Sequence, residues 1–340
     1  MKYGRLVYND LDSDITSYTN VGDWCQTFAV DRIYEKIGVP KEDIVDINRS
    51  EIGTYKGEKV LVIIQADCRQ LEKKDFFPVS RDVVPVYLGV HRTQKKHILE
   101  GIDKNSEIIG CRDEASYEMF KELGYDAFIS GCLTTTLPKR KEGNYSEVYL
   151  VDCPSEVEQY VPKEYEGHVH KFTHEIFNRA NPEQDSRKYY EEYRDNARLV
   201  VTSRLHCAVP CMAMGIPVIL VRKYFDDRYA WLEKFIKPYL PEEFSDINWN
   251  VSPVDLEEHK EKLFKIAKYM IEAKTDSSNY KNSEFVELKN NMHQFFSDRK
   301  RITYKAPFKA RMYWLINAMN PKVARFIRLK LLKKFTVIGK

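Results

Sequence analysis

Short apolar runs alternate along the chain with longer stretches whose apolar positions recur every three or four residues. Arg5 to Asn9 reads as a strand, and Asp23 to Lys36 as a helix ended by Gly38 and Pro40. "KVLVIIQ" (59–65) and "VVPVYLGV" (83–90) read as buried strands. "SEIIGCRD" (106–113) is another, followed by the helix "EASYEMFKELG" closed by Gly124 and then by "YDAFISG" (125–131). A second series follows the polar stretch "LPKRKEGNYS" (137–146). It holds "EVYLVDC" (147–153), "HVHKFTH" (168–174), the helix "SRKYYEEYRDNA" (186–197) and "VVTSRLHCAVPCMAMGIPVILV" (200–221). Such alternation predicts βα units and parallel sheets covered on both faces, an α/β fold. The stretch with Pro138 and Gly143 divides the chain into two Rossmann-like lobes, residues 1–142 and 143–295. Beyond Pro253 the sequence turns helical and polar, and residues 296–340 read as a basic amphipathic helical tail.

Composition changes this picture in two ways. A chain of 340 residues, 43% hydrophobic, can build a core large enough for two domains. The net charge of +3 hides an asymmetry: residues 299–340 carry 13 Lys and Arg and no acidic group, which leaves 41 basic against 51 acidic groups elsewhere. The seven cysteines are scattered and form no CxxC, so free buried thiols in a reducing compartment are expected rather than a disulfide framework or a zinc site. No signal-peptide pattern opens the chain, and no apolar run approaches the ~20 residues of a membrane span. A cytoplasmic location is the expectation.

Three polar clusters fall at predicted strand ends, where open α/β sheets bind ligands. In "TSRLHC" (202–207) a helix should begin near Leu205, with Ser203 placed to cap it. Arg204 supplies a planar fork for phosphate or carboxylate, and His206 a group that exchanges protons near neutral pH. The same residues also suit a core histidine and an ion-paired arginine. In "TNVGDWCQ" (19–26), Asn20, Gly22 and Asp23 read as a turn entering a helix, with Asp23 suited to capping. In "CRDEAS" (111–116), Arg112 and Asp113 follow an apolar strand, a pair that often only caps a helix.

Taken in order, "NVGDWCQTFAV" (20–30), "GCRDEASYEMFKELGYDA" (110–127) and "VVTSRLHCAVPCMAMGIPVIL" (200–220) resemble the polysaccharide pyruvyl transferase family. The resemblance spans roughly residues 5–225. It implies two Rossmann-like lobes in the arrangement of GT-B glycosyltransferases, with the active site between them. It implies transfer of pyruvate from phosphoenolpyruvate (PEP) to a sugar of a cell-surface polysaccharide or lipid-linked glycan, usually as a ketal across two hydroxyls, with release of phosphate. Arg204 and His206 would meet the donor's phosphate and carboxylate, Arg112 would be a second anion contact, and Ser203 would belong to the same site. Asn20, Gly22 and Asp23 would line the acceptor side. His206 and Asp23, in that order, are the candidate acid and base. No metal and no cofactor is required by this chemistry.

The sequence departs from the family pattern at Gln65-Ala66-Asp67 and at Gly131-Cys132-Leu133. Thr134 to Thr136 suit either a ligand contact or an edge strand. A GT-B glycosyltransferase using a nucleotide sugar, and a non-catalytic paralogue in glycan assembly, are the alternative functions. In the tail, Val323, Phe326, Ile327, Leu331 and Phe335 share one helical face. That face can dock on the first lobe; with its basic flank it also suits peripheral contact between residues 299–340 and an anionic membrane. No motif supports nucleic-acid binding.

Overall fold

The computed structural model describes residues 1–9, 19–65, 78–91, 102–176, 181–224 and 226–298. The basic tail expected at 299–340, and with it Ala66, Asp67 and Cys68, lies outside the described residues. Strand β1 (Lys2–Val7) and the two-residue β2 (Thr19–Asn20) precede helix α1 (Val21–Ile37). Strands β3 (Ile44–Asn48), β4 (Val60–Ile64), β5 (Val83–Val90) and β6 (Ile108–Cys111) follow. Helix α2 (Glu114–Glu122) and β7 (Asp126–Ile129) complete the first half. The six strands β3-β1-β4-β5-β6-β7 form one sheet in that order, and every pairing in it is parallel.

The second half begins with β8 (Glu147–Val151), β9 (Val169–Phe172), the short β10 (Glu175–Ile176) and α3 (Pro182–Asn196). It continues through β11 (Ala197–Thr202), α4 (Leu205–Ala213), β12 (Val218–Val221), the single turn α5 (Asp227–Ala230) and β13 (Pro238–Tyr239). Its sheet, also wholly parallel, runs β13-β12-β11-β8-β9. Two parallel sheets are what continuous Val/Ile/Leu runs demand, since such strands must be covered on both faces.

The outer face of each sheet closes its own core, one around Ile64, Tyr87 and Phe120, the other around Leu150, Val201 and Phe244. The inner faces share a third and larger core that runs continuously through α1, α3 and α4. From Val21 to Val30 helix α1 is buried at every position but Asp23, which fits a helix held between two layers. Asn20 Oδ1 accepts the Gly22 N–H at 3.1 Å to start it, and Gly38 at φ 80° ends it. β2 pairs antiparallel with β10, so a strand preceding α1 is hydrogen-bonded to one from the second half. Helices α6 (Glu257–Glu272) and α7 (Ser283–Ser297) close the described chain. They reach the first sheet through Lys274 to Glu107, Lys289 Nζ to Asp126 at 2.8 Å, and the Ile129 N–H to His293 Nδ1 at 3.3 Å. No described helix is long and apolar enough to cross a membrane.

Candidate active site

Strand order fixes where a ligand can enter. In the first sheet the chain leaves β1 for β3 on one side and returns to β4 on the other; in the second it leaves β8 for β9 and returns to β11. At such reversals the loops diverge and open a crevice beyond the carboxyl ends of the strands. Tyr8 and Gln65 end β1 and β4; Asp152 and Ser203 end β8 and β11. The N-termini of α1 and α4 start from these edges and meet. A Cβ built on Gly22 would lie 2.9 Å from the His206 Cβ, so only glycine permits this approach without movement. The first and third sequence clusters, some 180 residues apart, therefore share one wall.

His206 owes its pose to the residue four positions on. Pro210 has no N–H, so the His206 carbonyl lacks the usual donor four residues on. It accepts instead from the Tyr190 hydroxyl of α3 at 2.5 Å, with the Cys25 thiol of α1 at 4.0 Å. The His206 backbone departs from helical values, with ψ 26°, and the side chain keeps 9% exposure. On its imidazole, Nε2 lies 3.8 Å from the Cys132 thiol, which follows β7.

Arg204 is ion-paired. Its Nε donates to Asp152 at 2.9 Å and its Nη2 to Glu175 at 2.6 Å. Asp152 stands at φ 50°, a left-handed conformation uncommon outside glycine. It is over-determined: its side chain also accepts the His174 N–H at 2.9 Å, and its carbonyl accepts the Ser203 hydroxyl at 2.6 Å. Ser203 thus braces the end of β8 rather than capping α4, whose N-cap is Arg204 without a side-chain cap bond. Arg222, just beyond β12, was not singled out by sequence. Its Nη1 donates to the Ser203 carbonyl at 2.8 Å and to the Tyr229 hydroxyl, and its guanidinium lies 4.0 Å from the Tyr229 ring centre. That hydroxyl also accepts the Leu205 N–H at 3.3 Å, at the open end of α4. Among the described residues Arg222 has no carboxylate partner.

Arg112 completes the group from the first sheet. It is fully buried. Nη2 donates to the Gln65 carbonyl at 2.8 Å and to Gln26 Oε1 of α1 at 3.2 Å; Nε reaches the Gly89 carbonyl at 3.4 Å. Nη1 has no hydrogen-bond partner, and no carboxylate among the described residues offsets the charge. Other buried polar atoms without partners gather at the same sheet edge: Tyr8 OH, Trp24 Nε1, Gln65 Oε1 and His91 Nε2. Native interiors leave few such atoms, and each asks for an explanation. Arg49 adds a second cation here, 4.9 Å from the Tyr8 ring centre. Behind Arg112, Asp113 caps α2 through the Ser116 N–H at 3.0 Å and holds His91 Nδ1. Burial works to raise the Asp113 carboxyl, but His91 and Ser116 hold it below the usual carboxylate range.

Asn20, Gly22, Arg112, Ser203, Arg204 and His206 thus converge around the first half of α1, and Asp23 lies in the first turn of that helix. Thr135 and Thr136 do not form an edge strand. Their hydroxyls bond back to Cys132 and Leu133 carbonyls at 2.7 Å in a buried 3-10 turn. Asp152, Glu175 and Arg222 escaped the sequence reading, and Cys132 entered it only as part of a departure from the family pattern. The two carboxylates gave no local signal, because their partner Arg204 lies 52 and 29 residues away. Among the described residues no three His, Cys, Asp or Glu side chains group as metal ligands.

In comparison with curated proteins nothing matches the chain. A family model does match, over residues 88–222, a stretch that contains Arg112, Cys132, Asp152, Ser203, Arg204, His206 and Arg222. The model is that of the polysaccharide pyruvyl transferase family, a match that supports a transferase.

Proposed function

We propose that this transferase moves pyruvate from PEP to a saccharide, and that the two sheets form the lobes of a GT-B-like enzyme with the donor bound between them. The observation that carries the reading is Arg112: a buried guanidinium with no carboxylate among the described residues and a free Nη1. Burying an unpaired charge is costly, and a small anion placed at Nη1 removes the cost. Arg222, which has no carboxylate partner among the described residues, provides a second cation beside the N-terminal end of α4. Arg204 joins by exchange: Asp152 keeps Nε, while Nη2 passes from Glu175 to the donor carboxylate. Ser203 holds the end of β8 in place during that exchange.

In this reading His206 protonates the methylene carbon C3 of PEP, leaving an oxocarbenium-like C2 that the cationic groups hold next to its phosphate. A sugar hydroxyl, giving its proton to Asp23, bonds to C2. A second hydroxyl then bonds to C2 as the bond between C2 and the phosphate oxygen breaks, closing the ketal; its proton restores His206, and the departing phosphate takes the proton held by Asp23. Asn20 and Gly22, at the start of α1, line the side from which the saccharide or lipid-linked saccharide comes. Phosphate release from PEP in the presence of a glycan acceptor tests the reaction. Thermal unfolding with PEP against UDP-, GDP- and CMP-sugars tests the donor. Stabilisation by a nucleotide sugar and not by PEP would overturn the proposal in favour of glycosyl transfer.

A further inference from the structure

A thiol beside the candidate acid/base comes from the other half of the molecule. Cys132 follows β7, and its Sγ lies 3.8 Å from His206 Nε2 and 3.2 Å from Thr134 Oγ1. Cys132 is 1% exposed and Thr134 fully buried, so water does not compete for these bonds. The approach is set by backbone. Gly131 at φ 72° turns the chain out of β7, and a Cβ there would lie 2.9 Å from the Phe296 ring of α7. The 3-10 turn Leu133–Thr136 then fixes both thiol and hydroxyl.

We propose that Cys132 is a positioning residue for His206. The inference rests on the acid/base role given to His206 above. A neutral imidazole carries its proton on one nitrogen, and the partner of the other nitrogen decides which. Here the Thr134 hydroxyl donates to sulfur and the thiol donates to Nε2. The imidazole proton is thereby held on Nδ1, which becomes the atom that exchanges it with substrate. No covalent bond to carbon is made or broken. On protonation Nε2–H faces the sulfur, and the thiol hydrogen turns back toward Thr134. The first half of the molecule thus sets the tautomer of a side chain that the second half carries.

Long-range nitrogen–proton spectra of the full chain labelled with nitrogen-15 histidine read the tautomer directly, with His206→Gln assigning the resonance. The expected result is Nδ1–H in the wild type, retained in Cys132→Ser and lost in Cys132→Ala and in the near-isosteric Cys132→Val. A wild type and Cys132→Val that share one tautomer would overturn the proposal. Phosphate release supplies the second arm: kcat falls about tenfold in Cys132→Val and stays within about threefold in Cys132→Ser, with the acid limb of the pH profile moved up in the valine variant only. A folded wild type that releases no phosphate from PEP defeats the proposed reaction, while the tautomer measurement still decides the role of Cys132.

Discussion

Arg112 separates what a residue does for folding from what it does for binding. Arg112 has no carboxylate partner among the described residues, so an apolar chain of similar length removes the cost of a buried charge while leaving the acceptors on Gln65, Gln26 and Gly89 unpaired; Arg112→Met is expected to unfold within a few degrees of the wild type. Its affinity for PEP should drop at least tenfold, about 1.4 kcal/mol, in calorimetry. A variant that loses stability and keeps PEP affinity would make Arg112 a plain structural residue. Gly22 gives the complementary case. Alanine is the better helix former by about 1 kcal/mol, yet its methyl would press on His206. Gly22→Ala should therefore change stability little while transfer falls tenfold or more. Sequence showed these residues unequally. That the His206 carbonyl lacks its usual helical donor is legible in "HCAVP", since proline four residues on cannot donate. The ion pairs of Arg204 are not, because nothing local to "TSRLHC" indicates which distant carboxylates arrive there.

Among the elements, β10 and α6 carry sharp expectations. Glu175 on β10 occupies Nη2 of Arg204. If that nitrogen is handed to the donor, Glu175→Gln should bind PEP several-fold more tightly in the same calorimetric experiment. Weaker binding would mean that the carboxylate holds the arginine in its working position. On α6, His259 sits among Phe235, Phe295 and Phe296, its Nε2 buried without a hydrogen-bond partner. Burial, with Lys262 and Lys260 beside it, lowers its pKa to about 4. An unfolded chain protonates histidine near ~6.5. As pH falls from about 6.5 toward 4 the unfolded state takes up a proton that the folded state refuses, so stability declines over that window. The loss is at most about 3.5 kcal/mol at ~1.4 kcal/mol per pH unit, and urea titrations of His259→Phe should show a flatter limb than the wild type. Elements were legible where they are apolar on both faces: "VVPVYLGV" is β5 from end to end. β3 was not, because an edge strand needs no such run; "IVDIN" leaves Asp46 exposed to pair with Arg5 at 2.6 Å.

Across the whole molecule, the inner core passes through both sheets without a break, and Arg5 of β1 reaches Glu183 of α3 at 3.1 Å as well as Asp31 and Asp46. Two halves joined in this way should unfold together. Calorimetry is expected to give one transition whose measured enthalpy equals its van't Hoff value; two resolved transitions would show independent lobes. The alternation of strands and helices predicted the two parallel sheets, but not the return of α6 and α7 to the first, which depends on distant pairs such as Lys289 with Asp126. The missing donor at Pro210 has a consequence at this scale. A backbone oxygen anchored to α3 and crowded by α1 makes the His206 imidazole a gauge of alignment: if it is the proposed acid/base, a shift of either half by a fraction of a bond length should register in turnover before it registers in any probe of secondary structure.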